Sequence, residues 1–231
     1  MTEEISEQIS KSADTKRATR NQGPTPKGER TRRQILDGAI FVVAEQGVAA
    51  ATHRAVAKAA GVSLSTTTYY FTSLDDLLTQ AFVRLSERTD QNNAGTVLEY
   101  ETAIANSGVT LDSPLQERIA LRDELLLILL DYFDRTADDW RVLMRAEVRF
   151  LFEATRIADL KTRVTARRNM TSDSLSSLSA AVGSKHARIE GEMMHDLLLL
   201  AEFNALTWPS ETLKPATRDR FTRFFDWILN I

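Results

Sequence analysis

A chain of 231 residues with 43% hydrophobic and 26% charged side chains can bury one or two cores, which excludes a disordered protein and a metal-stapled mini-domain. The absence of cysteine excludes disulfides, thiolate metal sites, iron–sulfur clusters and cysteine nucleophiles, and nine glycines and five prolines are too few for the turns of an all-β sandwich. The net charge of −3 conceals an asymmetry, because residues 16–72 carry nine basic side chains against three acidic while residues 73–231 carry nineteen against twenty-five. A basic segment joined to an acidic body points to a polyanion at one end only.

The longest wholly apolar runs, Ala39 to Ala44 and Leu125 to Leu130, are far shorter than the roughly 20 residues a membrane span needs. The first fifteen residues are acidic, with Glu3, Glu4, Glu7 and Asp14 against Lys11, and lack the apolar stretch of a secretory signal. These features predict a cytoplasmic chain with no membrane partner.

In chain order, residues 1–27 lack apolar periodicity and contain Gly23, Pro24 and Pro26, so they read as a flexible basic arm carrying Lys16, Arg17, Arg20 and Lys27. From near Glu29, the residues Ile35, Leu36, Ala39, Ile40 and Val43 recur at helical spacing until Gly47. Thr52 can cap a short helix that Gly61 breaks, and Ser63 can cap a second through Phe71. Ser73, with Asp76 three residues on, opens a longer helix past Phe82 and Leu85. The polar stretch Gln91 to Asp112, with Asn92, Asn93 and Gly95, predicts a loop or a frayed helix. Ser113 before Pro114 opens a long helix whose apolar residues, Leu125 to Phe133, wrap most of its circumference and predict a buried central position. Further helices are expected over Asp138 to Ala154, Leu160 to Ala181, Ser184 to Leu206 and Ala216 to Asn230. No strand pattern is present, so the fold class is all-α. The expected domains are the arm at 1–27, a helix-turn-helix unit at 28–72 and a larger helical domain at 73–231.

The segment THRAVAKAAGVSLSTTTYYF, Thr52 to Phe71, has helix-turn-helix spacing. Ala57 is small where the helices cross, Gly61 can take the left-handed turn, and Val62 joins Val56 and Ala60 in the small core. The second helix then presents Leu64, Ser65, Thr66, Thr68 and Tyr69, hydroxyls and an aromatic that suit base edges, thymine methyls and phosphates.

These residues resemble the TetR family of transcriptional repressors. Arg33, Ile35, Leu36, Ala39, Gly47, Thr52, Ala60, Gly61, Val62, Ser63, Tyr69, Phe71, Ser73, Asp75, Leu77 and Leu78 occupy the family's N-terminal pattern or near equivalents. The resemblance implies DNA contacts from Thr52, Arg54, Ser63, Leu64, Ser65, Thr66, Thr68, Tyr69, Tyr70 and Ser73, with double-stranded operator DNA read as an imperfect palindrome by a homodimer. Thr67 stands where the family buries leucine, Thr68 where it shows a first tyrosine, Tyr70 where it has histidine, and Leu74 where a lysine often touches phosphate. Operator sequence therefore does not carry over. A buried Thr67 needs a partner for its hydroxyl, most simply the Ser63 carbonyl one turn back.

The resemblance also implies an effector cavity between the central helices and a four-helix bundle formed by the last two helices of two copies. Trp140, Arg145, Arg149 and Phe152, beside Glu147 and Phe150, together with His195, are the candidate effector contacts. Met193, Leu197, Leu200, Phe203, Phe221, Phe224 and Trp227 are the candidate dimer interface. The reading is a ligand-responsive repressor, nucleoid-associated when DNA-bound, with a small-molecule effector of unknown identity; a constitutive or partner-controlled repressor is the alternative. No cofactor or metal set is expected, since His53 has no second ligand at helical spacing. A helical enzyme is disfavoured because no Gly-x-Ser-x-Gly, Gly-rich phosphate loop or His-x-x-x-His occurs. The acidic body argues against a purely architectural DNA binder.

Overall fold

The computed structural model describes residues 25–135 and 138–231, with the side chains of residues 135, 138 and 139 left aside. The arm residues Lys16, Arg17 and Arg20 lie outside the described residues. The described residues form nine α-helices and a 3-10 turn at Val48–Ala50: α1 Pro26–Gln46, α2 His53–Ala60, α3 Leu64–Tyr70, α4 Leu74–Ser107, α5 Leu115–Arg135, α6 Asp138–Glu153, α7 Ala158–Ala181, α8 Ala187–Thr207 and α9 Ser210–Ile228. No strand occurs among them, so the chain is all-α, and none of these helices is long and apolar enough to cross a membrane.

The ends of the short helices are set by local chemistry. Thr52, Ser63 and Ser73 sit in extended backbone, and each side chain accepts from the amide three residues on, at Ala55, Thr66 and Asp76. Gly61 closes α2 at φ 65°, and the Val62 amide returns to the Ala57 carbonyl oxygen at 3.0 Å. Ahead of them, α1 starts earlier than the apolar period indicates. Thr25 caps it by accepting from Gly28 and Pro26 occupies its first turn, so Lys27 belongs to this helix and not to the arm.

The larger departure is α4. The polar stretch from Gln91 to Ser107 continues the helix without a break, because Tyr100, Ala103 and Ile104 bury one face of it and the Arg167 guanidinium of α7 holds Asp90 at 2.8 Å. Burial on one side outweighs the weak helix propensity of Asn92, Asn93 and Gly95. In α5 the expectation of all-round burial fails: Leu121, Leu125, Leu126 and Leu129 are buried, while Leu127 faces outward. The last helix begins at Ser210, six residues before the expected Ala216, with Pro215 inside it. The Thr212 and Leu213 amides return to the Pro209 carbonyl oxygen, which starts the helix upstream of that proline.

Two apolar cores run through the described residues. The first joins α1, α2 and the start of α4 to Leu143, Ala146 and Phe150 of α6 and Leu160 of α7. It therefore crosses the expected boundary at residue 72, with the Phe82 and Phe150 rings edge to face at 5.9 Å. The second collects the far half of α4, α5, α8 and α9 around Leu129, Phe221 and Phe225.

Candidate functional site

Two features stand apart: an exposed helix at one end, and a cavity in the body. The exposed helix is α3. Of its seven residues only Thr67 is buried, its hydroxyl meeting the Ser63 carbonyl oxygen at 3.4 Å as the buried-threonine argument requires. Phe71 and the half-buried Tyr70 turn into the first core, and the Tyr70 ring braces Tyr69 edge-on at 5.3 Å. Tyr69 itself is 81% exposed, and Leu64, Ser65 and Thr68 share the open surface. The Thr68 hydroxyl donates back to the Leu64 and Ser65 carbonyl oxygens at 3.2 Å, which leaves its oxygen free to accept from an outside donor.

Ser63 is occupied as a cap, within 2.8 Å of the Ser65 hydroxyl and 2.7 Å of the Thr66 hydroxyl, so it orders the two side chains beside it. Arg54 is exposed on α2 without an ion pair among the described residues. Between the first turn of α1 and α3 lies an open cleft lined by Thr25, Lys27, Thr31, Ser65, Thr66 and Tyr69.

What holds this head in shape is a close approach that sequence reasoning overlooks. A Cβ on Gly38 would stand 2.9 Å from both the amide nitrogen and the Cβ of Ala60, so α1 and α2 touch backbone to backbone there. The Gln34 side-chain amide donates to the Ala60 carbonyl oxygen at 2.6 Å.

The body holds a partly open cavity of about 370 Å³ walled by α4, α5, α6, α7 and α8. Of the candidate effector contacts only His195 lines it. Trp140 is buried one layer behind, its ring edge-on to Tyr132 at 5.8 Å. Arg145, Arg149 and Phe152 are corrected: the first two reach away from the cavity to Glu45 and to the Val43 and Ala44 carbonyl oxygens of α1, and Phe152 is 74% exposed on the outer surface. Helix α6 turns one face to the cavity, with Glu147 and Leu151, and another to α1. Residues spaced two or five apart along it cannot share one target.

Sequence reasoning reaches His195 and Glu147 but passes over Glu202, Tyr132, Tyr100 and Asn93, which share in the cavity's chemistry. Glu202 accepts from the Tyr132 hydroxyl at 3.1 Å. Burial, with Glu147 nearby, pushes its carboxyl up to about 8. Burial likewise raises Glu147, against the pull of Arg167 at 3.8 Å. The His195 imidazole is lowered by burial. The Tyr100 hydroxyl and the Asn93 Oδ1 face the cavity wall buried and without a partner. The one signal available in the sequence is Glu202 itself, a carboxylate set in the apolar run Leu197 to Phe203.

The dimer candidates divide. Phe221 and Phe224 are only 1% and 5% exposed and belong to the chain's own second core, which corrects their placement on an interface. Leu197 is half-buried against the same core, whereas Met193, Leu200, Phe203 and Trp227 are exposed.

Residues 35–81 match the family model described as bacterial regulatory proteins, tetR family. Comparison with curated proteins finds no match by sequence. Among solved structures, a transcriptional regulator from Rhodococcus sp. Rha1 is similar at 15% identity and a TM-score of 0.64, covering 86% of this chain and 96% of its own. A member of the TetR family from Streptomyces coelicolor A3 is similar at 25% identity and a TM-score of 0.56, covering 84% and 97%. The multidrug binding protein EbrR, solved with ethidium, is similar at 24% identity and a TM-score of 0.55, also covering 84% and 97%. Residues 35–81 thus match the tetR family of bacterial regulatory proteins, and the chain has a fold similar to that of a solved member of that family.

Proposed function

We propose that this chain is a homodimeric repressor that reads a two-fold-related operator with α3 and releases it when a small molecule enters the cavity. The observation that carries the reading is the joint placement of the two features. The wall of the cavity, α6, is bonded by Arg149 to the last turn of α1, the helix on which the DNA-reading pair α2 and α3 is packed. A ligand that favours one position of α6 thereby favours one position of α3, and only such differential affinity shifts an equilibrium.

In this reading Leu64, Ser65, Thr66, Thr68 and Tyr69 meet base edges, while Arg54, Thr52, Ser73 and the Lys27 cleft meet phosphates. Ser63 orders its neighbours and Tyr70 supports Tyr69. The arm follows the backbone or the minor groove. The exposed apolar stripe Met193, Leu200 and Phe203 of α8, with Trp227 of α9, is covered by a second copy. That EbrR was solved with ethidium supports a ligand-accepting body in this fold. The protein acts in the bacterial cytoplasm, on the nucleoid when bound.

Selection of bound sequences from a random DNA pool tests the first half, and enrichment of a two-fold-related site is expected. Titration of the selected operator complex with a chemically broad ligand panel tests the second. A ligand that fills the cavity should weaken DNA binding, and DNA should weaken that ligand by the same factor. Operator affinity indifferent to every cavity ligand would leave a constitutive or partner-controlled repressor.

A further inference from the structure

The charges at the cavity do not balance. Two guanidiniums reach it, and each is already matched by a carboxylate from the cavity's outer side: Arg167 by Asp90 at 2.8 Å and Arg168 by Asp196 at 2.9 Å. Arg167 also stands 3.8 Å from Glu147. Glu202 remains, with the neutral Tyr132 hydroxyl as its hydrogen-bond donor and Glu147 as a second acid facing the same space. His195, whose imidazole pairs with Asp196 at 3.4 Å, is held toward its neutral form by burial and by the two arginines. A ligand-free cavity therefore holds more acid than base: Arg167, the lining cation that acts on Glu202, is shared with Asp90 and Glu147, so the balance favours the protonated Glu202 until a further positive charge stands beside it.

Neutral groups point the same way. Tyr100 is 5% exposed, lines the cavity, and its hydroxyl has no partner; the Asn93 Oδ1 is an unpartnered acceptor on the same helix. Phe82, Tyr100 and Tyr132 provide aromatic surface on which an organic cation is stabilised by ring electrons. The rest of the lining is mostly aliphatic.

We propose that the cavity takes a lipophilic organic monocation, with Glu202 as its counter-ion and the Tyr100 hydroxyl and Asn93 Oδ1 as polar contacts. This rests on the effector reading above and narrows it to one charge class. On binding, the Glu202 proton passes to solvent and the ligand's charge takes its place, so the neutral cavity is exchanged for a neutral ion pair.

The test is fluorescence titration of the full-length protein, without DNA, by acridine orange as the cationic probe and by anilinonaphthalene sulfonate as an anionic aromatic of similar size. The expected result is one cation site per chain and an anion bound at least tenfold more weakly. Glu202→Gln should weaken the cation about thirtyfold without weakening the anion. Tyr100→Phe, which leaves every charge in place, should weaken the cation by about threefold to tenfold. Melting curves establish that each variant is folded. An anion bound as tightly as the cation, or a Glu202→Gln protein that is folded and holds the cation unchanged, would overturn the proposal. Operator release is read separately. Cation binding with Glu202 dependence but no loss of DNA affinity upholds the charge class and sinks the release reading, whereas release by neutral or anionic ligands alone does the reverse.

Discussion

Arg149 of α6 donates through Nη1 to the carbonyl oxygens of Val43 and Ala44, both at 2.6 Å, in the last turn of α1. A guanidinium on the carbonyls of a helix C-terminus adds a charged donor to Ala44 and to Val43, which also accepts from the Gly47 amide at 3.0 Å, and interacts favourably with the helix dipole. Beside it Arg145 pairs with Glu45, so α6 grips α1 by two charged contacts while Glu147, between them in sequence, faces the cavity.

The first prediction concerns this grip. Arg149→Met should cost about 2 kcal/mol of stability, because charge-assisted bonds to carbonyls are lost and the acceptors are left half-buried. It should also shrink the factor by which a cavity ligand lowers operator affinity, while ligand affinity without DNA changes less than about twofold. Thermal melts and operator titrations with and without ligand check both.

Gly38→Ala tests the close crossing of α1 and α2. The added methyl meets Ala60 backbone, which cannot swing aside as a side-chain end could. A loss of about 1–3 kcal/mol is expected, with operator affinity falling and cavity binding kept. Unchanged operator affinity in a folded variant would show that the crossing does not set the position of α3.

On the reading face, Tyr69→Ala should weaken the selected operator by about tenfold or more at an unchanged melting temperature, because the ring is already in solvent. Lys27→Ala should weaken all DNA alike and lower the slope of log affinity against log salt by about one. Deleting residues 1–24, which leaves the Thr25 cap of α1 in place, should flatten that slope further.

The apolar stripe and the second core respond differently to a charge. Phe203→Glu should give a folded monomer, since Phe203 is exposed on the single chain, whereas Phe224→Glu should unfold it. Sedimentation and circular dichroism separate the two outcomes. A Phe203→Glu protein that remains a dimer removes Phe203 from the interface.

A raised carboxyl also predicts a pH dependence. With Glu202 pushed to about 8 in the folded protein, the folded state holds a proton that the unfolded chain releases near the ordinary carboxylate range, so the ligand-free protein loses stability as pH rises from about 5 to about 8. Glu147 shifts in the same direction, while His195, lowered in the fold, contributes the opposite slope near its ordinary range. Subtraction isolates Glu202: the melting temperature of Glu202→Gln relative to the parent should rise with pH across that window and level off above it.

Legibility in the sequence followed the range of the interactions. Caps at Thr52, Ser63 and Ser73 and the left-handed Gly61 are decided within four residues, so the head could be read directly. Helix α4 beyond Gln91 could not, because its polar composition is overruled by packing against α5 and α7. Phe221 and Phe224 were misplaced for a related reason: a large apolar side chain near the C-terminus reads the same whether its own core or a partner covers it. The cavity needed side chains from five helices, and nothing local marks Tyr100 or Tyr132 as neighbours of Glu202.

At a rise of about 1.5 Å per residue, the stretch of α4 from Asn93 at the cavity to Leu74 beside α3 is a lever arm of about 29 Å. A tilt of about 5° pivoting at the cavity carries its far end about 2.5 Å. Mirrored in a second copy, the separation of the two reading helices changes by about 5 Å, more than one base-pair step along DNA. Under the proposed function the body thus detunes the head without any local unfolding, and inserting or removing one base pair between operator half-sites should imitate the strained spacing from the DNA side.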